Sequence, residues 1–363
     1  MGFVSPELLS LYNTPGIGPQ RMRSLIARFK TPAAVYASSA RDLCAVEGID
    51  QTLAAAIKRH ADLPAAEKQI HLAQQTGCTI LTLWDDAYPA LLQSLFDPPL
   101  LLFVQGDIQA LSLQSVAMVG TRSPSEYGQI MAEKISRELV RRGFAITSGL
   151  ARGVDTLAHH AAVAQGGITL AVLGSGLDQI YPGENKRLAR AISEQGAVIS
   201  EYPFGTKPDA PHFPRRNRII AGLSLATLVV EAGETSGALI TAYNALEYGR
   251  EVMAIPGNVN NPKSWGCNQL IQQGAKLVQN VEDILSEIGA QIEPARAVQL
   301  SLPGIDLSEE ESALLEVLGP EPIHIDALAV QLHQPVSKLL ALLLQLELKS
   351  QVIQLPGKKF ARA

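Results

Sequence analysis

The sequence predicts an α/β protein whose main domain is a doubly wound, mainly parallel, Rossmann-like sheet, with a helical domain before it and a winged helix after it. Three observations lead to this fold class. Short β-rich runs alternate with amphipathic helices between residues 78 and 288, as in a parallel sheet covered on both faces. Glycine-broken helices precede this region. Three helical stretches and a short hairpin follow it.

The bulk composition is typical of a soluble protein with several domains. The chain has 363 residues, of which 47% are hydrophobic and 18% charged, with 29 glycines. This length exceeds the usual size of one hydrophobic core. We therefore predict a helical domain at residues 1–64, a Rossmann-like domain at 65–288, an aperiodic linker at 289–307 and a winged-helix domain at 308–363.

Charge and cysteine content exclude several classes of protein. The formal net charge of −5 argues against a generally basic surface, so any nucleic-acid site must be local. Cys44, Cys78 and Cys267 lack CxxC spacing, which excludes a disulfide framework and a zinc site. The chain shows neither a signal peptide nor an apolar run long enough to span a bilayer. We expect a cytoplasmic protein without metal, cofactor or membrane insertion.

Two glycine turns in residues 1–64 each precede a helical run. Thr14–Pro19 leads into Gln20–Phe29, and Val46–Asp50 leads into Gln51–His60 at a similar interval. Paired hairpins of this kind resemble helix-hairpin-helix, SAM-like modules, in which backbone N–H groups at a helix start meet a phosphate. A small helical bundle that only packs on its neighbour explains the pattern equally well.

The central domain contains eight predicted strands with helices between them. The strands are Thr79–Leu83, Leu100–Val104, Ser115–Val119, Phe144–Thr147, Thr169–Leu173, Ala197–Ser200, Ala226–Glu231 and Glu251–Ile255. The helices are near 126–142, 154–165, 184–195, 216–223, 237–248 and 281–288. Ligands of open α/β sheets bind beyond the carboxyl ends of the strands. The loops that leave these strands are therefore the place to look for function.

Three of these loops combine glycine with hydroxyl groups or arginine at the start of a helix. The combination supplies backbone donors, a positive helix dipole and a guanidinium for an anion. The candidate residues are Gly120, Thr121 and Arg122 in the first loop, Ser148, Gly149, Arg152 and Gly153 in the second, and Gly233, Ser236 and Gly237 in the third. Pro256-Gly257-Asn258 ends the next strand, Glu251–Ile255. Glycines also form ordinary turns, so one such loop alone is weak evidence and the prediction depends on five of them converging.

The most distinctive segment surrounds Pro214. A helix that begins just after Pro214 would place Arg215 and Arg218 on one face while Ile219 and Ile220 reach the core. The candidate residues here are Phe213, Arg215, Arg216, Asn217 and Arg218. Three arginines in one helical turn repel each other, which favours an anionic ligand over a solvated basic turn. Phe213 would stack on an unpaired base, although a lone phenylalanine is more often part of a core.

The sequence argues against a dinucleotide site and against catalysis. No GxGxxG motif follows Val119. The strand Phe144–Thr147 is followed by Ser148-Gly149, where a dinucleotide site would have an acidic residue that binds ribose. Asp155, His159 and His160 are the best catalytic candidates, yet Asp155 is explained more simply as a partner of Arg152 or of a helix N-terminus. We predict no catalytic residue and no enzymatic activity.

Five motifs together resemble the DprA/Smf family. They are Val-Gly-Thr-Arg at 119–122, Ser-Gly-Leu-Ala-Arg-Gly-Val-Asp at 148–155, Gly-Leu-Asp-Gln-Ile-Tyr-Pro-Gly-Glu-Asn at 176–185, Ser-Glu-Tyr-Pro at 200–203 and Phe-Pro-Arg-Arg-Asn-Arg-Ile-Ile-Ala-Gly-Leu-Ser at 213–224. The resemblance implies a homodimeric protein that binds single-stranded DNA entering during natural transformation, protects it and loads the RecA recombinase onto it.

The resemblance also implies which residues contact DNA. It places Arg122, Arg152, Arg215, Arg216 and Arg218 in the family's phosphate-binding pocket, with Gly120, Ser148, Gly149, Gly233 and Ser236 beside them. Lys186 is a further implied contact. Two departures from the family pattern, Val154 for isoleucine and Ala238 for serine, leave the charges unchanged.

The presumed recognition helix of the winged-helix domain, Pro335–Leu346, has Lys338 as its only basic residue, so it binds protein or, through Lys358 and Lys359, duplex DNA weakly. The alternative function is that of a lysine-decarboxylase-like or phosphoribohydrolase enzyme with the same Rossmann variant. The loop from Glu231 to Gly237 lacks the Pro-Gly-Gly-x-Gly-Thr motif of those enzymes.

Overall fold

The computed structural model describes residues 4–59, 62–289 and 313–362, the last range with gaps at 316, 320–322, 333, 349–351 and 356–357. The chain forms two compact units, Met1–Ile292 and Glu293–Ala363. The first unit contains the helical domain and the sheet, and the second unit contains the winged helix. The predicted fold class is confirmed.

Six helices form the start of the first unit. They are α1 (Pro6–Tyr12), α2 (Pro19–Phe29), α3 (Pro32–Ala37), α4 (Ala40–Cys44), α5 (Gln51–Arg59) and α6 (Leu63–Thr76). The two predicted glycine turns are present, because Gly16 and Gly48 both have positive φ angles, of 84° and 79°. The Arg21 guanidinium donates to the carbonyl oxygens of Gly16 and Gly48, each at 2.8 Å, and so fastens the two turns together.

A nine-stranded sheet follows the helices. Its strands are β1 (Cys78–Thr82), β2 (Leu101–Gly106), β3 (Ser115–Val119), β4 (Ala145–Ser148), β5 (Thr169–Leu173), β6 (Ala197–Ser200), β7 (Ala226–Val229), β8 (Glu251–Ala254) and β9 (Lys276–Leu277). Their order is β1-β2-β6-β5-β4-β3-β7-β8-β9. The strands from β6 to β9 in that order are parallel, and β1 and β2 are antiparallel additions at one edge.

Helices cover both faces of the sheet. They are α7 (Ala90–Gln93), α8 (Glu126–Arg141), α9 (Val154–Ala164), α10 (Lys186–Gln195), α11 (His212–Gly222), α12 (Gly237–Glu247), α13 (Trp265–Gln272) and α14 (Val281–Ile288). One buried cluster joins α11 and α12 to the sheet and continues into the N-terminal helices. Another cluster packs α8, α9 and α14 on the opposite face. The continuous apolar runs of β3 and β5 are fully buried, as expected for inner parallel strands.

The structure differs from the prediction in several details. The helix expected after Pro214 begins earlier, at His212, because a proline in the first turn lacks an N–H group that would have no helical partner anyway. The boundary predicted between residues 64 and 65 lies in the first turn of α6. Helix α13 and the two-residue strand β9 were not predicted.

The second unit contains, among its described residues, helical residues at 313–315 and 317, two further helices and a three-stranded sheet. The helices are α15 (Ile325–Leu332) and α16 (Val336–Leu348), and the strands are β10 (Ile323–His324), β11 (Val352–Leu355) and β12 (Lys359–Arg362) in the order β10-β12-β11. Leu328, Leu339 and Phe360 are among its buried core residues. The predicted linker 289–307 and most of the predicted helix 308–318 lie outside the described residues.

In the part of the chain that the structure describes, no single helix is long and apolar enough to cross a membrane, although α15 and α16 taken together as a sharply bent pair meet the length and hydropathy criteria. Within the same residues, no group of three or more histidine, cysteine, aspartate or glutamate side chains is arranged to hold a metal ion.

Candidate functional site

One cleft of the first unit lies where the strand order reverses. Strand β3 pairs with β4 on one side and with β7 on the other, and the crevice between β3 and β7 opens at their carboxyl ends. We call this crevice, of about 780 Å³, the cleft. Its walls include Gly120, Thr121, Arg122, Ser123, Ala151, Asp155, Phe213, Arg216, Asn217, Gly233, Ser236, Gly237 and Lys263. Four loops and helix α11 therefore converge as predicted.

Backbone packing and one buried carboxylate fix the loop after β3. A Cβ atom at Gly120 would lie 2.6 Å from the Val154 side chain, so only glycine fits there. The Thr121 N–H donates to the Glu231 carbonyl at 2.7 Å. The Glu231 carboxylate accepts from both the N–H and the hydroxyl of Ser125, at 2.7 and 2.8 Å. The loop therefore presents Arg122 from a rigid support.

The loop after β4 has a structural role, although the sequence predicted that its residues contact a ligand. The buried Ser148 hydroxyl donates to the Met118 carbonyl at 2.6 Å and is not exposed in the cleft. The N–H groups of Gly149 and Ala151 donate to the Asp155 carboxylate at 3.1 and 3.3 Å. Burial raises the pKa of Asp155, against the opposing effect of the nearby Arg216 charge. Asp155 is thus an anchor for this loop.

Arg216 is a buried cation at the base of the cleft. Its Nη1 donates to the carbonyl oxygens of Gly149, at 2.5 Å, and Val172, and its Nε donates to Asn217 at 3.1 Å. Burial lowers the pKa of Arg216 to about 10, with the Asp155 carboxylate opposing this shift. Its charge is therefore held at the site by neighbouring dipoles and by Asp155.

Arg122 and Phe213 form the exposed side of the cleft. The Arg122 guanidinium carbon lies 5.7 Å from the centre of the Phe213 ring, in a cation–π arrangement. No carboxylate lies within ion-pair distance of Arg122 among the described residues. The Phe213 ring also contacts the half-exposed Tyr181 ring, with 5.8 Å between centroids. Arg122 therefore has no internal anion to neutralise it.

Arg152 lies next to the cleft but is already paired. Its guanidinium forms two hydrogen bonds with the Glu184 carboxylate, at 2.9 and 3.0 Å, and both side chains are exposed. These bonds raise the pKa of Arg152 and lower that of Glu184. The adjacent Gly153 has a φ angle of 77°, and a Cβ atom there would lie 2.3 Å from the Thr121 carbonyl oxygen. Gly153 therefore holds two loops in contact.

Arg215 and Arg218 do not line the cleft, contrary to the placement that the family resemblance implies. Arg218 is 10% exposed and its Nη2 pairs with the buried Glu201 carboxylate at 2.5 Å. It also contacts Asp97 through the side chain at 3.8 Å and the carbonyl at 2.7 Å. Arg215 is half exposed, with its Nε 3.6 Å from Glu201. The face that Arg215 and Arg218 share is directed toward Glu201, whose carbonyl accepts a hydrogen bond from Tyr12 of α1.

The remaining predicted residues of α11 and α12 shape the cleft wall. The Asn217 amide donates to the Gly237 carbonyl at 3.2 Å and ties the two helices together. Ser236 caps α12, and its hydroxyl accepts from the Ala238 N–H at 3.3 Å. The N-terminus of α12, with Gly233 in the loop before it, thus faces the cleft with its positive dipole end.

One basic residue of the cleft was missed and one predicted residue lies elsewhere. Lys263 is exposed at the cleft rim, where its ammonium donates to the Ser123 carbonyl at 2.7 Å. The signal was its position after the Pro256-Gly257-Asn258 loop, which was predicted to end a strand at the same edge. Lys186, in contrast, lines a separate cavity of about 450 Å³.

The two histidines considered for catalysis differ in environment. His159 is buried and its Nδ1 lies 2.7 Å from the Thr169 hydroxyl, which in turn donates to the Ile146 carbonyl. Burial lowers the pKa of His159 to about 3, and the Arg216 charge adds to this effect. His160 is exposed. Neither histidine lines the cleft.

The fold and the cleft define a Rossmann-like α/β protein with a cationic crevice at its topological switch point, preceded by a helical domain and followed by a winged helix. Comparison with known families identifies it further. The family described as DNA recombination-mediator protein A matches residues 79–289. The DprA winged helix domain matches residues 299–358, and a SAM-like helix-hairpin-helix tandem matches residues 6–62. The last match favours the helix-hairpin-helix interpretation over a simple bundle.

Individual relatives agree with the family match. DNA processing protein DprA of Bacillus subtilis (strain 168) is 41% identical over 257 residues, which cover 70% of this chain and 85% of the relative. The X-ray structure of DprA from Streptococcus pneumoniae has a TM-score of 0.70 and 36% identity and covers 79% of this chain and 99% of that one. The Helicobacter pylori DNA processing protein A structure, described for its single-stranded DNA binding mode, has a TM-score of 0.53, 30% identity and coverage of 59% and 97%. The chain belongs to the DNA recombination-mediator protein A family, the DprA/Smf proteins, and the resemblance drawn from its motifs is confirmed.

Proposed function

We propose that the chain binds the phosphate backbone of single-stranded DNA in the cleft. The observation that carries this proposal is the unneutralised charge at the cleft mouth. Arg122 precedes Ser123 in the chain and Lys263 donates to the Ser123 carbonyl. Neither cation has a carboxylate partner among the described residues, and Arg216 adds a buried charge to the same cleft. The N-terminus of α12 contributes a positive dipole to the same space.

The aromatic groups beside these charges favour a single strand over a duplex. Phe213 and the half-exposed Tyr181 lie next to Arg122, and flat rings beside a cationic groove are typical of proteins that stack unpaired bases. The single-stranded DNA binding described for the Helicobacter pylori relative supports the same choice. Because the net charge of the chain is −5, nonspecific attraction of DNA is expected only near this cationic region.

The environments found in the structure refine the proposed contact set. Arg122, Lys263 and Arg216 are its cations, with Thr121, Gly233, Ser236 and Gly237 as neighbouring polar or backbone contacts. Arg152 joins them when its pair with Glu184 opens. Arg218 supports α11 through Glu201 and is left out of the set. Ser148, Gly149 and Gly153 position the loops that carry these contacts.

The proposed cellular role is based on the family to which the chain belongs. We propose that the protein protects single-stranded DNA during natural transformation in the cytoplasm, acts as a homodimer and loads RecA recombinase onto the strand without covalent chemistry. The description of the family as a recombination mediator supports transfer of DNA to a recombinase. The structural contribution to this proposal is the DNA-binding cleft.

A salt titration of DNA binding tests the proposal. Fluorescence anisotropy with a labelled single strand, and with a duplex of the same sequence, is expected to show tighter binding of the single strand. Replacement of Arg122 by alanine should weaken binding to any sequence and reduce the slope of log affinity against log salt by about 0.7 for one lost phosphate contact. Arg137→Ala removes an equal charge from the exposed face of α8 and serves as the control.

Two outcomes would overturn the proposal. An unchanged salt slope in Arg122→Ala would remove the cleft from phosphate binding. Release of a free base from a nucleoside monophosphate, lost in Glu234→Ala, would instead establish the phosphoribohydrolase-type alternative, because Glu234 lies exposed in the loop that corresponds to the motif of those enzymes.

A further inference from the structure

A second cavity lies beside the cleft, and its lining residues Ser125 and Ser264 are close in sequence to Ser123 and Lys263 of the cleft. This cavity, of about 420 Å³, is lined by Ser125, Tyr127, Pro256, Asn258, Asn261 and Ser264, and we call it the side pocket. The Lys263 ammonium bonds to the Ser123 carbonyl at 2.7 Å and joins the two loops that separate the side pocket from the cleft. A chain bound in the cleft that passes Lys263 therefore reaches the side pocket next.

The side pocket has a chemistry different from that of the cleft. No ionisable acid or base lines it apart from the tyrosine hydroxyl, so it offers hydrogen bonds and an aromatic face without net charge. A phosphate group requires cations or clustered N–H donors, whereas a nucleobase requires neutral polar groups and a flat surface. The lining fits a nucleobase.

Tyr127 supplies the flat surface. Its ring is 48% exposed, and its hydroxyl donates to the Pro256 carbonyl at 3.1 Å. This bond holds the ring across the side pocket from the loop after β8. An exposed tyrosine that is held in place loses little conformational freedom when a base stacks on it.

Asn258 supplies a directed hydrogen-bonding group. Its Oδ1 accepts from the Asn260 N–H at 2.9 Å, which orients the side chain and leaves the Nδ2 group without an acceptor among the described residues. The backbone below it is fixed, because Gly257 exchanges two hydrogen bonds with the Asn268 side chain, at 3.2 and 3.0 Å. A Cβ atom at Gly257 would lie 2.1 Å from the Ser264 hydroxyl oxygen, so the loop requires glycine there.

We propose that the side pocket receives one base of the strand whose phosphates occupy the cleft, with the base stacked on Tyr127 and accepting a hydrogen bond from Asn258. This inference rests on the proposed function of the cleft. Lys263, on the rim between the two cavities, contacts the phosphate that connects them. The side pocket thus adds a base contact to a site otherwise built for the DNA backbone.

The experiment compares a thymidine strand with an abasic strand of the same length, because only the first carries bases while both carry phosphates. Anisotropy measurements are expected to show that Tyr127→Ala weakens binding of the thymidine strand roughly tenfold and leaves the abasic strand unaffected. Tyr127→Phe keeps the ring but loses the hydrogen bond to Pro256, so it should bind the thymidine strand more tightly than Tyr127→Ala does. A 2-aminopurine base in the strand should be quenched by the unaltered protein and less so by Tyr127→Ala.

Each contrary result has a distinct meaning. An equal effect of Tyr127→Ala on both strands, or no effect on either, would overturn the base-binding role of the side pocket. Binding of both strands by the wild type would still support phosphate binding in the cleft. Failure of the wild type to bind either strand would overturn the cleft and the side pocket together.

Discussion

The guanidinium of Arg216 occupies the space that a side chain at position 149 would need. A Cβ atom at Gly149 would lie 2.5 Å from Arg216 Cζ, and Arg216 Nη1 donates to the Gly149 carbonyl at 2.5 Å. The glycine after β4 and the arginine on α11 are therefore two halves of one arrangement, although 67 residues separate them. The loop positions the guanidinium of Arg216, and the guanidinium donates a hydrogen bond to the carbonyl of the loop.

Gly149→Ala is expected to displace Arg216 and disable the cleft. The added methyl group forces the guanidinium or the loop to move, at a cost of about 1–3 kcal/mol in the free energy of unfolding. Urea unfolding followed by circular dichroism measures this cost, and anisotropy measures the accompanying loss of affinity for single strands. Gly183→Ala is the matched control, because no atom lies within 4 Å of a Cβ atom at Gly183. Equal stability and affinity in the two variants would contradict the arrangement.

Arg218→Ala is expected to damage folding more than the chemistry of DNA binding. Removal of Arg218 leaves the Glu201 carboxylate, 1% exposed, without its closest partner, and breaking a buried pair costs about 3–5 kcal/mol. Arg215→Ala removes a half-exposed partner at 3.6 Å and should cost about 1 kcal/mol or less. Thermal and urea unfolding distinguish the two variants. A stable Arg218→Ala protein with lost DNA affinity and a reduced salt slope would return Arg218 to the contact set.

The fold could be predicted well from sequence because it depends on local pattern. Buried runs such as Ser115–Val119 and Thr169–Leu173 matched the observed strands residue by residue, since inner parallel strands are continuously apolar. Short elements with weak patterns were missed, among them the two-residue strand β9, whose residues are both exposed. Sequence also located the loops of the cleft, because parallel strands bring their carboxyl ends to one edge.

The direction in which individual side chains point could not be predicted in this way. Arg216 and Arg218 belong to one motif, yet one points to the cleft and the other to Glu201 and Asp97. The two residues are two positions apart on α11 and therefore point to opposite sides of the helix, and the sequence did not show which side faces the cleft. Lys263 was missed because its contact with Ser123 spans 140 residues. Such partners follow from tertiary packing.

Glu184→Gln is expected to strengthen binding of single-stranded DNA. In the free protein Glu184 holds Arg152 beside the cleft, so a phosphate must compete with this carboxylate for the guanidinium. Loss of the charge frees Arg152 and should raise affinity several-fold at low salt, with a salt slope steeper by about 0.7. Anisotropy across a salt series measures both quantities. The free energy of unfolding should hardly change, because both side chains are exposed.

Glu133→Gln is the control for that experiment. It makes the same change in net charge within an exposed pair with Arg137 on α8. An equal gain in affinity from both variants would show a general effect of net charge and contradict a local role of Glu184. A decrease in affinity in Glu184→Gln would show that the carboxylate positions Arg152 for the DNA and does not compete with it.

His159 is expected to make the protein sensitive to mild acid. Burial lowers its pKa from 6.5 to about 3 in the folded protein, so between these pH values the unfolded chain binds a proton that the folded chain excludes. Stability therefore falls as the pH falls, and His159 should contribute a loss of about 2 kcal/mol between pH 7 and pH 5. The raised pKa of Asp155 acts in the opposite direction and is common to all variants compared.

Urea unfolding at pH 7, 6 and 5 should show a shallower pH dependence in His159→Gln than in the wild type, whereas exposed His160→Gln should keep the wild-type dependence. Parallel curves for the wild type and His159→Gln would mean that His159 becomes protonated in the folded protein, with water or a displaced loop reaching its Nε2 atom, which has no hydrogen-bond partner in the described structure.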